Sequence, residues 1–449
     1  WQTELDRPLT WPTDKLLRRI GHTVDSLSPT ELEHALSSSG YHEDVLRKFH
    51  AEREPLPPLL EDTLKRFSID KGIRTFIDQM NSPHLAEFSH AEPTTQLQLL
   101  TEHCPWPEDK SLRLLNAKGE TVWQSNRQDL PMIELYEPPP GSGDLLTNLL
   151  AKLDESDLKT LLKEEPGRPP QAFTARARAL RKTLADIATE RRNILFNARY
   201  RALEYSTDAA SRALIDATPE LPTSVAREIL RTATGEERQQ LKQSLVPKRL
   251  MQLSRWALED VRSSRAFEGL HLDSINPLDT HRLALHSLER VPGWPKNLRI
   301  DVREYGTRGT LRDSIDPGDA TLHKTLVLLE DGRYQAFDDE SQPLSAALDF
   351  YNAVLQALPD NARDALGIDI GAGAKLKQTI RKHALARDDL QKILALHREL
   401  KPTYDPHTMR LPGGSEGYRH FNPYLPVLEQ EAMALNPSFT PEQFQAFMQ

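Results

Sequence analysis

The chain has 449 residues, 27% charged and 38% hydrophobic; at roughly 100–200 residues per domain it should hold about three domains, and it is too apolar to be wholly disordered. Its net charge of −9, from 66 acidic and 57 basic residues, argues against a general nucleic-acid binder, whose affinity rests on phosphate neutralisation. No run approaches the ~18 apolar residues of a membrane helix, and Cys104, the only cysteine, excludes a disulfide framework.

Residues 1–92 read as short helices. Ser28-Pro-Thr-Glu31 has the cap, the early proline and the early acid of a helix start. Leu32, Ala35 and Leu36 mark one face, and Gly40 stands where the helix should stop. Leu59, Leu60, Leu64 and Phe67 continue the helical spacing, and Ile73, Phe76, Ile77 and Met80 resume it. Beyond residue 95 the pattern turns to strands. Leu112, Leu114 and Leu115, then Val122 and Trp123, flank a turn at Gly119, and 132–135 follows. Pro138-Pro-Pro-Gly-Ser-Gly143 is a stiff break, Asp144 caps a Leu-rich helix, and 165–170 is a second break.

Residues 171–217 read as the longest helical stretch, and 222–290 as a second helical block. Leu298, Ile300 and Val302 alternate with charged residues, as in a half-buried strand. A hairpin with a Gly332 turn follows, and 344–399 returns to helix. The last fifty residues read as loop-rich, then helical; 441–449 is amphipathic, with Phe444 and Phe447 on one face. Because the chain starts at Trp1 and ends inside that pattern, a fragment of a longer polypeptide is expected.

The expected fold is mainly α: multidomain helical bundles with two small antiparallel β units. The expected divisions are 1–137, helical with a small β unit; 138–170, linker and helix; and 171–290, a bundle with a long basic helix. A small antiparallel β unit at 291–345 and a C-terminal helical region at 346–449 complete them. The Gly119 and Gly332 units look alike, each a strand beside a Gly turn ahead of a Leu-rich helix, yet no fixed period joins them.

Cys104 is the one nucleophile candidate, with His103 beside it. A catalytic thiol needs a base or a positive field that lowers its pKa, and adjacency in sequence does not supply one. His84, His90 and His103 match no compact zinc spacing. Gly371-Ala-Gly373 lacks the rest of a dinucleotide fingerprint. Gly141-Ser-Gly143 precedes a helix and reads as linker rather than anion site. Asp338, Asp339 and Glu340 read as a solvated turn. No cofactor or metal is expected.

Residues 171–212 carry nine Arg or Lys against four Asp or Glu. Arg176, Arg178, Arg181, Lys182, Arg191, Arg192, Arg199 and Arg201 ride the long helix, so an acidic protein or an anionic membrane surface is a candidate partner there. Arg265 and Glu268 are spaced to pair, and with Trp294 to tie the helical block to the second β unit.

Several blocks resemble large multidomain bacterial toxins or effectors with a dermonecrotic-toxin-like N-terminal domain, leucine-rich repeats and often a C-terminal ubiquitin ligase domain of the novel E3 ligase type. These are Leu221-Pro-Thr-Ser-Val-Ala226, Val246-Pro-Lys-Arg-Leu250, Arg265-Ala-Phe-Glu-Gly-Leu270 and Pro292-Gly-Trp-Pro-Lys-Asn-Leu-Arg-Ile300, with Leu358-Pro-Asp-Asn-Ala-Arg363, Met409-Arg-Leu-Pro-Gly-Gly414 and Leu435-Asn-Pro-Ser-Phe-Thr440. Upstream, Leu46-Arg-Lys-Phe-His50 and the stretch 97–106 share the likeness. The resemblance implies the region ahead of the repeats and the ligase. The ligase's Cys-x-Asp context is absent, since the cysteine here reads Cys104-Pro-Trp, and no Leu-x-x-Leu-x-Leu ladder occurs. It therefore implies a non-catalytic scaffold or targeting segment, secreted or delivered into a host cell, whose first partner is the rest of its parent polypeptide. The rival expectations are a toxin-class enzyme with a site assembled from distant residues, and a membrane-docking module.

Overall fold

The computed structural model describes residues 26–400, with Trp11 and Leu16, apart from 53–54, 126–129, 139–143, 165–171 and 206–207. The expected breaks at 139–143 and 165–170, and everything expected beyond residue 400, lie outside the described residues. The chain divides into two compact units, Trp1–Ala384 and Leu385–Gln449. Described structure in the second is one helix, Arg387–Leu400.

The first unit opens with α1 (Pro29–Ser39), α2 (Asp44–Glu52), α3 (Pro58–Asn81), α4 (Leu85–Phe88) and α5 (Pro93–His103). The Ser28 side chain accepts the Glu31 N–H while Glu31 accepts the Ser28 N–H, so two otherwise unpaired helix donors are satisfied. Gly40 closes α1 at φ 80°, a left-handed conformation that only glycine adopts without a Cβ penalty. The two runs read between Leu59 and Met80 are one continuous helix, α3.

A first sheet follows: β1 (Ser111–Asn116), β2 (Thr121–Gln124) and β3 (Met132–Glu137). Then come α6 (Leu145–Leu150), α7 (Glu155–Leu162), α8 (Phe173–Glu190), α9 (Arg192–Glu204) and α10 (Ala209–Ala217). The stretch read as one long helix is thus three, first broken at Arg191, where φ −105° and ψ 19° leave the helical region. Next are α11 (Thr223–Arg231), α12 (Gly235–Lys242), α13 (Lys248–His271) and α14 (Leu278–Ser287), which tightens into a 3-10 turn at Leu288–Arg290. The second sheet is β4 (Leu298–Glu304), β5 (Leu311–Ile315), β6 (Leu322–Leu328) and β7 (Tyr334–Phe337). Helices α15 (Phe350–Ala357), α16 (Asp360–Leu366) and α17 (Gly373–Lys382) complete the unit.

The mainly helical fold is as expected; the pairing within the sheets is not. Both sheets are mixed, not antiparallel. They run β2-β1-β3 and β5-β4-β6-β7. β1 is antiparallel to β2 and parallel to β3, and β4 is antiparallel to β5 and parallel to β6. The hairpin's second strand takes one edge of the first strand. The chain then crosses back and enters the other edge from the same end, which makes that pair parallel.

The two sheets belong to two copies of one module. A constant displacement in numbering pairs Leu97 with Leu285, Leu100 with Leu288, Trp106-Pro107 with Trp294-Pro295, Leu112 with Ile300 and Leu114 with Val302. The four helix leucines, Leu112, Ile300, Leu114 and Val302 are all buried. Even the irregularity repeats. In β1 the register slips between Leu114 and Leu115, and in β4 between Val302 and Arg303, at matching positions of the same hairpin. The parallel partners of Leu114 and Val302 are Leu135 and Leu326, both buried. After the sheet, Asp144 caps α6 and Asp349 caps α15. Their buried apolar faces correspond: Leu145, Leu149, Leu150 and Leu153 against Phe350, Val354, Leu355 and Leu358. The next helix in each copy ends on a left-handed residue, Lys163 at φ 51° and Gly367 at φ 63°. α6 packs on β3 and on α8, as α15 packs on β6 and on α17. The likeness read between the Gly119 and Gly332 turns was therefore mispaired: Gly119 answers to the longer turn holding Gly306 and Gly309, while among the described residues β7 and its Gly332 turn have no counterpart in the first copy.

The helices between the copies form the frame. Arg265 and Glu268 do pair, at 3.1 Å, but they tie α13 to α3 rather than to a sheet. Arg265 reaches Asp62 at 2.7 Å, Arg66 donates to Glu268 at 2.6 Å, and the Tyr200 hydroxyl donates to Asp62 at 2.6 Å. Asp62 and Glu268 are wholly buried, so these partners offset the cost of taking their polar groups out of water. Trp294 is buried at the entry to β4, where a Cβ on Gly293 would stand 2.8 Å from the Ala365 carbonyl oxygen. That approach, at φ 87°, requires glycine.

Candidate functional sites

Cys104 is the residue after the last turn of α5, half-buried against the principal core. Burial pushes its thiol up to about 11, and the Lys163 charge only partly offsets this. The neighbouring His103 turns to Glu102, 3.9 Å away. No hydrogen bond among the described residues joins the sulfur to an imidazole. A thiol held protonated without a base is a packing group.

The other sequence candidates also fall into structural roles. Asp338 accepts the Gln342 N–H at 2.7 Å, and Asp339 is 4.0 Å from Lys324, as in a solvated turn. Gly373 opens α17 with its N–H donated to Asn352 Oδ1 at 2.9 Å, so a protein side chain occupies that helix start. His84 and His90 are exposed. Among the described residues no group of three or more His, Cys, Asp or Glu is placed to hold a metal ion.

The eight cations read as one face are not one face. Arg176 is buried and reaches both Glu155, at 2.6 Å, and Glu164, at 2.7 Å. Arg181 is buried against Asp144 at 2.8 Å, its guanidinium 3.7 Å above the Phe88 ring. Helical periodicity turns these two to the same side as Ala177, Leu180 and Leu184, which is the core side. Arg199 pairs with Glu92, Lys182 is 3.3 Å from Asp186, and Arg192 is 3.9 Å from Asp273. Arg178 and Arg201 are exposed, and Arg191 sits half-buried at the break between α8 and α9.

The second copy holds a cavity that the sequence did not announce. About 140 Å³ opens between α14 and the sheet, over Leu278, Leu285, Val302, Leu328, Tyr334 and Phe350. His281 forms one wall. Its Nδ1 is 2.8 Å from the Tyr334 hydroxyl and its Nε2 is 2.7 Å from Asn276 Oδ1. Its ring stacks on Phe350 at 4.9 Å. With the Nε2 proton donated to Asn276, Nδ1 accepts from Tyr334, and the neutral ring is satisfied. Burial pulls its pKa down to about 4. At the rim, Asp313 lies 2.8 Å from His286 and 3.7 Å from Arg282, and Glu304 pairs with Arg312. The result is an apolar slot behind mutually neutralised charges. It has room for one ring-sized group, and although the Tyr334 hydroxyl donates to His281, burial raises the phenol's pKa and holds it protonated.

Both this slot and the Asp62–Arg265 network escaped sequence reading. Their residues lie far apart in the chain, and single charges within helical patterns carry no mark of burial. Asp144 was legible as a cap, but Arg181 as its partner was not. No family model matches the chain, and neither a curated protein nor a solved structure matches it.

Proposed function

We propose that this chain is a non-catalytic supporting and targeting segment of a larger secreted, toxin-like bacterial polypeptide, which holds a downstream effector domain and presents it to a host cell. The observation that carries the reading is how the chemistry-bearing groups are used. Arg66, Arg265, Asp62, Glu268 and Tyr200 are committed to joining α3, α9 and α13. Arg176 and Arg181 fasten α8 to the loops and helices around it. The single thiol is protonated and packed. A duplicated module bolted to a helical frame suits a body that must keep its shape. The rest of the parent is then its first partner.

The test uses the parent polypeptide carrying Cys104→Ser with His103→Asn, and separately Glu268→Ala. The first pair is expected to leave both turnover in solution and action on intact cells unchanged. The second is expected to leave turnover unchanged and to reduce action on cells. Loss of turnover in the Cys104→Ser, His103→Asn polypeptide would overturn the reading and favour the enzyme.

A further inference from the structure

The first copy of the module has a cleft between its helix and its hairpin. It lies between α5 and β2, with a volume of about 370 Å³, inside the range of small-ligand clefts. Gln98, Thr101 and Glu102 line it from the helix, and Trp123 and Gln124 from the strand, with Trp106 at its end. We infer that this cleft binds a neutral carbohydrate.

The lining matches that chemistry. A sugar ring offers apolar C–H faces and a rim of hydroxyls that both donate and accept. The two indoles supply flat apolar platforms. Each is half-buried and rests against the principal core, so it is stiff and has little freedom to lose on binding. Trp106 is held further by its Nε1–H, donated to the Lys110 carbonyl at 2.9 Å. The Gln98 amide has an N–H to donate and a carbonyl oxygen to accept, and the Thr101 hydroxyl, whose proton goes to the Leu97 carbonyl at 2.9 Å, accepts. Glu102 and Lys110 bring one charge of each sign, so the cleft has no net preference for an ion. Lys110, already 2.6 Å from Asp157, also argues against a quaternary ammonium, which wants an aromatic cage free of cations.

The second copy gives the internal control. By the pairing of the modules, Gln98 answers to His286 and Trp123 to Asp313. Those two are joined at 2.8 Å, so a hydrogen bond spans helix and strand where the first copy has Gln98 and Trp123. The scaffold therefore accepts either pair of side chains at these positions. The inference stands whether or not the chain is a supporting segment, since it concerns only these side chains.

The test is a microarray of neutral and sialylated oligosaccharides probed with the full chain, followed by calorimetry with the best-retained neutral saccharide. Saturable binding is expected, weakened about tenfold or more by Trp123→Ala and several-fold by Gln98→Ala. Trp123→Phe, which keeps a platform, is expected to retain most of the affinity, and His286→Gln all of it. The exposed Gln98 makes that variant safe for folding, and the thermal melt of Trp123→Ala checks the other. No retention of any saccharide, a preference for sialylated ones, or binding indifferent to both Trp123→Ala and Gln98→Ala would each overturn the inference.

Discussion

The two copies of the module share a skeleton and differ at its edges. Inside, Leu112 and Ile300, Leu114 and Val302, and Leu135 and Leu326 are interchangeable apolar groups at the same strand positions. At the first copy's cleft Trp123 stands where Asp313 does, and at the second copy's slot His281 stands where Pro93 does. The second copy adds β7, which brings Tyr334 over His281. Positions that face the core are thus confined by packing, and those between the first helix and the hairpin's second strand are free to take on a ligand or an ion pair. The comparison teaches where in this fold function has room to change.

The sharpest way to break the equivalence is at the caps. Asp144→Ala is expected to cost about 3–5 kcal/mol, because it removes a cap and leaves the buried Arg181 unpaired. Asp349→Ala removes a cap and a hydrogen bond from the Asn352 amide, with no arginine salt bridge, and should cost about 1–2 kcal/mol. Urea unfolding of both would show equal losses if Arg181 were not held by Asp144. Core truncation should instead make the copies agree. Leu112→Ala and Ile300→Ala are each expected to lose about 2–5 kcal/mol, since both side chains are fully buried. A near-silent result at either position would dissolve the pairing.

Acid should separate the copies again. Burial holds His281 down to about 4, and holds His271, at the end of α13, down to about 2 with His34, Arg381 and Lys377 adding to the effect. In the unfolded chain both titrate near 6.5, so between that pH and their native values the unfolded state binds more protons. Their stabilisation is complete above about pH 6.5 and falls as pH drops toward 4, by roughly 1 kcal/mol per pH unit for each. Hydrogen exchange at pH 7 and 5, corrected for intrinsic rates, is expected to show α14 and β7 losing protection before α5 and β3. Equal loss would mean that His281 does not carry the effect. The smallest contrast lies at the left-handed helix ends: Lys163→Gly should stabilise and Gly367→Ala destabilise, each by about 1 kcal/mol in thermal melts.

Much of the local structure was readable from residues alone. Ser28, Glu31 and Gly40 delimit α1, Asp144 announces α6, and the alternation at Leu298, Ile300 and Val302 announces β4. A cap or an alternation acts over a few residues, so it is written in a few residues. The candidate sites were far less legible. Cys104 and the basic run drew notice by residue type, yet burial decides what a thiol or a guanidinium does. Arg176 and Arg178 are two places apart in one helix, and one is a buried bolt while the other is exposed.

The duplication lay between these extremes. Its marks were present in the two Trp-Pro steps and the two Asp-capped apolar helices. The longer second turn and the inserted β7 shift the numbering along the chain, so no single period exposes it. By itself the sequence determined which stretches are mainly helix or strand and where capped ends such as Gly40 fall, because those choices rest on neighbours three or four places away. Tertiary structure alone decided the parallel third strands, the Asp62–Arg265 bolt, the slot and the cleft. Each rests on contacts between residues far apart in the chain, where only the folded path determines which charges and rings meet.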